Sequence, residues 1–118
     1  MSNHNELGKL GESLSCKYLS EHGYEILATN FRFQHKEIDV IALVKDVLVF
    51  IEIKTRSNFD FGFPEEAVNP RKQALLKQAA ERYCLDNPQY TKIRFDVMSL
   101  LIQNGILKEI KHFEDAFY

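Results

Sequence analysis

The sequence has few of the features that mark several common classes of protein. Its two cysteines, Cys16 and Cys84, lie far apart and form no CxxC or Cys/His cluster with metal-ligand spacing. It contains no HExxH, P-loop or GxGxxG motif, and its four histidines include no i, i+4 pair. The sequence therefore gives no support for zinc or nucleotide chemistry, and we interpret both cysteines as small buried hydrophobic residues.

An excess of charge of one sign is also missing. The 15 Lys and Arg residues nearly balance the 17 Asp and Glu residues, for a formal net charge of -2. Any surface for a polyanion must therefore be a local patch. The first residues, 1–6, are polar, and no stretch approaches the length that crosses a bilayer. We expect a soluble, cytoplasmic protein with no membrane partner.

The pattern of apolar residues predicts a single α/β domain over residues 1–118. A chain of this length can bury one core but not two. Leucine and tyrosine recur at helical spacing over 5–22, and a second helix follows a long polar loop at 56–70 and ends near Asn87-Pro88. Five β-rich segments complete the predicted order αβββαββ: 24–31, 37–44, 47–55, 94–102 and 106–113.

Charged residues interrupt two neighbouring predicted strands. The strand at 47–55 is almost continuously apolar but carries Glu52 and Lys54, which share one face because side chains alternate along a strand. Charges in such an environment need a partner or a ligand. If this strand pairs with the preceding one, Asp39 and Glu52 can share a hard cation, Mg²⁺ or Mn²⁺. Lys54 can then orient an attacking water or stabilise charge on a phosphate.

A simpler explanation of the Glu-x-Lys pattern is a structural ion pair on an exposed strand. Three observations together favour a site that cuts phosphodiester bonds: the apolar strand, its hairpin partner with Glu37 and Asp39, and an upstream helix with Glu12. We therefore take Asp39, Glu52 and Lys54 as the candidate site.

These motifs resemble the PD-(D/E)xK nucleases, whose core is an αβββαβ unit with a metal-binding Asp followed by Glu-x-Lys on the next strand. Over nearly its full length the chain resembles the YraN family of small bacterial endonuclease-like proteins. The matching stretches are Gly8-x-x-Gly11-Glu12, Asn30-x-Arg32, Glu37-Ile38-Asp39, Phe50-x-Glu52-x-Lys54-Thr55-Arg56, Gly62-x-Pro64 with Ala67-Val68, Lys72, Arg94-Phe95-Asp96 and Ala116-Phe117. The resemblance implies a restriction-endonuclease-like fold with a central mixed sheet flanked by two helices.

The resemblance extends to archaeal Holliday-junction resolvases, in which a glutamate of the first helix joins the Asp and Glu-x-Lys residues. It implies Glu12, Asp39 and Glu52 as metal-binding or supporting carboxylates and Lys54 as the catalytic lysine. It also implies Mg²⁺ or Mn²⁺ as cofactor, DNA with branched structure as substrate, and a possible homodimer. One departure is Lys36, which stands where the family usually has glycine, so the turn before Glu37 is expected to differ.

Several surrounding residues have two interpretations. Basic residues near the ends of the site-bearing elements can hold a nucleic-acid backbone or form an ordinary solvated rim: Arg32, His35, Lys36, Arg56, Arg71 and Lys72. The loop residues Phe59, Phe61 and Phe63 are expected to pack or to form a dimer contact rather than stack on bases. Asp96 is expected to have a structural hydrogen-bonding role. Gly8 and Gly11 predict close packing of the first helix.

Two other classes of function remain open from the sequence. The chain can be a nucleic-acid-binding or adaptor module that has kept a nuclease fold without cutting. It can also be a structural protein in which the charges form a buried ionic network, and this alternative predicts neither metal nor nucleic-acid binding.

Overall fold

The computed structural model describes residues 3–57 and 69–117, and places side chains from Glu6 onwards. The elements are α1 (Asn3–Glu21), β1 (Glu25–Phe33), β2 (Lys36–Val44), β3 (Val47–Arg56), α2 (Pro70–Asp86), β4 (Lys92–Gln103) and β5 (Ile106–Phe117). The predicted order αβββαββ is confirmed, and β5 extends beyond its predicted end. Phe59, Phe61 and Phe63 lie outside the described residues, so the expectation for them stays a prediction.

The strands form one mixed sheet in the order β1-β2-β3-β4-β5. Neighbouring strands are antiparallel except β3 and β4, which are parallel because α2 lies in the connection between them. Each helix covers one face of the sheet. Leu19 of α1 packs in one hydrophobic cluster, and Leu76, Ala79 and Ala80 of α2 pack in the other. Strand β3 is therefore covered on both faces, as its apolar sequence predicts.

Tight turns set the register of the hairpins. Lys45 adopts φ 55° between β2 and β3, and Asn104 and Gly105 adopt φ 53° and 75° between β4 and β5. Positive φ at both central residues suits the twist of antiparallel strands, so the Asn-Gly turn is confirmed. In the turn before β2 the residue with positive φ is Gln34, at 59°. Lys36 already belongs to β2, where a glycine is not required.

Helix α1 approaches the end of β3 closely at Gly11. A Cβ atom added to Gly11 would lie 2.0 Å from Thr55 Oγ1, so only glycine fits there without a shift of Thr55. The expected close packing is thus against the sheet. Gly8 differs, because an added Cβ would meet nothing within 4 Å. The contact at Gly11 places the neighbouring Glu12 beside the end of β3.

Two smaller expectations concern the cysteines and the membrane. Cys16 and Cys84 are half-buried at the edges of the two hydrophobic clusters, so the expectation of buried cysteines was too strong. Burial raises the pKa of both thiols. In the described ranges 3–57 and 69–117, neither helix is long and apolar enough to cross a membrane.

Candidate metal and phosphate site

Asp39 lies where β2 and β3 stop pairing through their backbones. The paired register runs from Val44 opposite Val47 to Val40 opposite Ile51. Beyond that point the Asp39 side chain takes over, and its Oδ2 accepts a hydrogen bond of 2.7 Å from the backbone N–H of Ile53. This bond holds the carboxylate of one strand against the neighbouring strand, as the hairpin predicted.

Glu52 is the most enclosed acid of the site, with a side chain that is 6% exposed. Two lysine ammonium groups approach the same oxygen, Oε1. Lys72 Nζ lies 2.7 Å away and Lys54 Nζ lies 3.6 Å away. Lys54 shares a strand face with Glu52, whereas Lys72 comes from the first turn of α2. In that turn the side chain of the N-cap residue Asn69 accepts a hydrogen bond of 2.9 Å from the Lys72 backbone N–H.

Burial and like charge perturb the ionisation of these groups. Burial, together with the nearby Glu52 carboxylate, raises the pKa of Asp39 from an ordinary 3.8 to about 7. Burial and the neighbouring Lys72 ammonium lower the pKa of Lys54. Burial also disfavours the charge of Lys72, but the hydrogen bond to Glu52 and the other contacts with Lys54, Glu52 and Asp39 together outweigh it, so the pKa of Lys72 is raised. The site therefore stabilises the positive charge of Lys72 and destabilises the negative charge of Asp39.

Two clefts meet at Glu37 and Asp39, which line both of them. The α1 cleft has a volume of about 450 Å³ and is also lined by Gly8, Lys9, Glu12, Asn30, Lys54 and Thr55. The α2 cleft has a volume of about 350 Å³ and is also lined by His35, Lys36, Glu52, Asn69, Arg71 and Lys72. The carboxylates therefore lie on a ridge that a ligand can reach from either side.

Glu12 lies in the α1 cleft with Asp39 and Lys54. Its Oε1 accepts a hydrogen bond of 2.9 Å from the side-chain amide of Asn30 in β1. Asn30 has φ 54°, a left-handed conformation that asparagine tolerates better than most residues. The carboxylates of Glu12 and Asp39 were expected to lie together, and they line the same cleft, in which Asn30 orients Glu12.

The donor atoms suit a hard cation with an incomplete protein shell. Within the residues that the structure describes, no three His, Cys, Asp or Glu side chains come together tightly enough to enclose a metal ion. Mg²⁺ does not need such a cage, because it usually binds through one or two carboxylates and keeps waters or substrate phosphates as its other ligands. Asp39 and Glu52 supply two carboxylates, and burial together with the Glu52 charge raises the pKa of Asp39. These residues fit Mg²⁺ or Mn²⁺.

The other basic candidates surround this ridge in different ways. Arg32 is 75% exposed and pairs with Glu37 at 2.9 Å, while Lys36 donates to the Gln34 side chain at 3.0 Å. His35 and Arg71 line the α2 cleft. Arg56 ends β3, and its buried Nε has no hydrogen-bond partner among the described residues. The predicted basic rim is thus present, and its role in nucleic-acid binding stays a prediction.

Asp96 makes the structural contacts expected of it, on the other face of the sheet. It is fully buried, and both of its oxygens accept hydrogen bonds from Arg94, each at 2.8 Å. His112 Nε2 lies 2.7 Å from Oδ2, and the Asp115 backbone N–H donates to Oδ1 at 3.0 Å. Despite its burial, the hydrogen bonds of His112 and Arg94 lower the pKa of Asp96. Each oxygen of this carboxylate therefore has two hydrogen-bond partners within the protein.

The sequence did not reveal two features of the site. Lys72 was expected to contact nucleic acid, and the structure shows in addition that its ammonium group pairs with Glu52. Asn30 was part of a recognised motif without a role, and it proves to be the partner of Glu12. Both contacts join residues that are distant in sequence, so local patterns could not predict them.

Comparison with known proteins places the chain in a bacterial family. The profile described as "Uncharacterised protein family UPF0102" matches residues 11–100. A UPF0102 protein of Flavobacterium psychrophilum is 48% identical over 118 residues, which cover 100% of this chain and 98% of the relative. One of Dictyoglomus thermophilum is 42% identical over 117 residues, which cover 98% and 99%.

A UPF0102 protein of Bacteroides thetaiotaomicron is also 42% identical, over 118 residues that cover 100% of this chain and 97% of the relative. Among solved structures, SfsA of Pyrococcus furiosus in complex with Ca²⁺ matches 94% of this chain and 63% of its own, at 13% identity and a TM-score of 0.35. That likeness is too remote to inform the site. The full-length matches in sequence show that the chain belongs to the UPF0102 family, which confirms the resemblance to the YraN family.

Proposed function

We propose that the protein is a Mg²⁺- or Mn²⁺-dependent endonuclease that hydrolyses phosphodiester bonds in DNA. The observation that carries this proposal is the pair of carboxylates, Asp39 and Glu52, on adjacent strands with Lys54 beside them. Burial and the nearby Glu52 carboxylate raise the pKa of Asp39, so the protein alone stabilises the charge of Asp39 poorly. A divalent cation between Asp39 and Glu52 would stabilise both charges, and because both residues line the α2 cleft, a phosphate in that cleft can complete its coordination.

The reaction is the attack of water on phosphorus. A new P–O bond forms to the water oxygen, the P–O bond to the leaving sugar oxygen breaks, and that oxygen takes up a proton. The bound cation would polarise the phosphate and acidify the water. Lys54 lines the α1 cleft, where its ammonium group orients the attacking water and stabilises the negative charge that builds on the phosphate. Glu12 and Asn30 provide hydrogen-bonding groups on the opposite wall of that cleft.

The surrounding charges support binding of a polyanion. Lys9 and Lys54 lie in the α1 cleft, and Lys36, Arg71 and Lys72 lie in the α2 cleft. A phosphate backbone that crosses the carboxylate ridge therefore meets lysine or arginine on both sides, and such contacts position a nucleic acid without reading its sequence. The preference for branched DNA rests on the resemblance to junction resolvases alone.

The test is cleavage of four-way junction, flap, single-stranded and duplex DNA with Mg²⁺ or Mn²⁺. Wild type is compared with Asp39→Asn and Lys54→Met. The matched controls are Asp46→Asn and Lys92→Met, which change an exposed ion pair outside both clefts. Loss of the metal site should remove several kcal/mol of transition-state stabilisation, so we expect each site variant to cut about 1000-fold more slowly. Both control variants should cut like wild type.

The same panel separates the alternatives. Binding of DNA without cutting would reject the nuclease and favour an adaptor module that has kept the fold. Absence of both binding and cutting would favour a structural ionic network. Cutting that survives in Asp39→Asn and Lys54→Met would place the active site elsewhere.

A further inference from the structure

The side chain of Lys72 occupies a position where a metal ion is expected to bind. Its Nζ is 2.7 Å from Glu52 Oε1, which is closer than Lys54 at 3.6 Å. Mg²⁺ requires carboxylate oxygens at about 2.0–2.1 Å, and an ammonium group on the same oxygen would repel it. Lys72 and a divalent cation therefore compete for Glu52.

The exposure of the Lys72 side chain allows its ammonium group to move away from Glu52. Its side chain is 37% exposed, whereas that of Lys54 is 23% exposed and that of Glu52 is 6% exposed. The backbone of Lys72 is held by the Asn69 cap, but its four-carbon side chain borders the open α2 cleft. Lys72 can thus leave Glu52 by rotating its side chain, without movement of α2 or of the sheet.

A displaced ammonium group needs a new anionic partner. Arg71 and Lys36 line the same cleft and can hold a phosphate beside its carboxylates, and an ammonium group binds phosphate well as a point charge. Once a phosphate lies in the α2 cleft, departure of Lys72 from Glu52 no longer leaves that charge unpaired. The metal and the phosphate then assist each other's binding.

We propose that Lys72 is an exchangeable counter-ion of the site: it holds Glu52 in the metal-free protein and transfers to a substrate phosphate when the metal binds Glu52. This inference rests on the proposed metal site. It makes Lys72 a positioning residue that couples metal binding to substrate binding. The metal ion then occupies the site mainly when nucleic acid is present. A fixed structural ion pair would provide no such coupling.

The test is calorimetric titration of Mn²⁺ into wild type and Lys72→Met, alone and with saturating thymidine 5′-phosphate. This nucleotide carries a phosphate but no phosphodiester bond, so nothing is cut. Without nucleotide, removal of the competing ammonium should tighten Mn²⁺ binding about tenfold. With nucleotide, the gain in Mn²⁺ affinity should be several-fold larger in wild type than in Lys72→Met, in which the phosphate only completes the coordination of the metal. Both proteins face the same equilibrium between free Mn²⁺ and nucleotide, so their difference reports on Lys72.

Lys92→Met is the matched control, because it makes the same substitution and changes the net charge equally at an exposed lysine outside both clefts. It should keep the affinity of wild type for Mn²⁺ without nucleotide, and it should keep the coupling. If Lys72→Met does not fold, Lys72→Gln replaces it.

The inference is overturned if Lys72→Met binds Mn²⁺ no tighter than Lys92→Met, or if its gain from nucleotide equals that of wild type. Absence of Mn²⁺ binding in wild type would overturn both the inference and the proposed function. Normal coupling in a protein that cuts no DNA would reject the nuclease and leave the exchange of Lys72 standing.

Discussion

Two groups of buried charges lie on opposite faces of the sheet, and they differ in how fully the protein satisfies them. Asp96 pairs in register with Ile51, on the face covered by α1, and Glu52 pairs with Val97, on the face covered by α2. Each oxygen of Asp96 has two hydrogen-bond partners: Oδ1 has Arg94 and the Asp115 backbone, and Oδ2 has Arg94 and His112. Glu52 forms ion pairs with Lys54 and Lys72, and both approach the same oxygen, Oε1.

This difference separates a structural network from a site for a ligand. Carboxylates that are buried and fully paired have a lowered pKa, as Asp96 does, and leave no room for another cation. The raised pKa of Asp39 shows the opposite state, because burial and Glu52 outweigh its hydrogen bond from Ile53. Both groups are buried charges in strands, so burial alone would not have distinguished them. The distinction lies in how many partners each oxygen has.

The comparison predicts opposite effects of the same substitution. Asp96→Asn removes the charge that pairs with Arg94 and His112, and an uncompensated buried charge should lower the free energy of unfolding by about 3 kcal/mol. Asp39→Asn keeps an acceptor for the Ile53 N–H and removes a repulsion, so it should leave stability equal or higher at pH 8 while cleavage is lost. Urea denaturation of the metal-free proteins measures both changes.

Asp46→Asn serves as a control for that pair of variants, because Asp46 is 68% exposed and pairs only weakly with Lys92 in solvent. It should change the free energy of unfolding by less than about 0.5 kcal/mol. A large loss of stability in Asp39→Asn at pH 8 would show that this carboxylate is a structural group like Asp96, and the comparison would fail.

The dependence of stability on pH should also differ between the two groups. The pKa of Asp39 is about 7 in the folded protein against an ordinary 3.8, so the folded state binds more protons between these values. The free energy of unfolding of the metal-free protein should therefore fall as pH rises from about 4 to 7, by on the order of 2 kcal/mol after allowance for partial exposure. The Asp96 contribution has the opposite sign and is lost only at acid pH.

Denaturation in the presence of a chelator over a series of pH values measures this effect. Asp39→Asn should lack the part of the decline that lies between about pH 4 and 7. If wild type and variant decline in parallel over that range, the protein stabilises the ionised Asp39 better than the two-carboxylate arrangement implies.

A smaller effect concerns the helix that forms one wall of the open site. Gly11→Ala should lower the free energy of unfolding by about 1 kcal/mol or more, because the new Cβ would lie 2.0 Å from Thr55 Oγ1 and push α1 from β3. Gly8→Ala meets nothing within 4 Å and should raise it by about 0.5–1 kcal/mol. Thermal unfolding distinguishes the two, and equal effects would show that α1 is not closely held at Gly11.

Much of the fold follows from local patterns in the sequence. The alternation and β-branched content of β2 and β3, the Asn104-Gly105 turn and the helical spacing of leucines each depend on residues that are close in the chain. The meeting of Asp39 with β3 was also predictable, because a short connection at Lys45-Asp46 fixes the register of that hairpin.

The contacts made across long sequence separations were not predictable in this way. Lys72 reaches Glu52 from the first turn of α2, which packs on β1 and β2, and nothing in the local sequence of α2 specifies that contact. The Glu12–Asn30 hydrogen bond depends equally on how α1 is placed against β1. For Asp96 a structural hydrogen-bonding role was expected, but its partners were not, because His112 and Asp115 lie on another strand.

The most direct test of the account is titration of Mn²⁺ into wild type, Asp39→Asn and Asp46→Asn at pH 8 by calorimetry. The account predicts saturable binding to wild type and Asp46→Asn, and at least a tenfold weaker affinity in Asp39→Asn, since one of two carboxylate ligands is lost. Failure of wild type to bind Mn²⁺, or equal affinity in Asp39→Asn, would contradict the claim that Asp39 and Glu52 form a metal site.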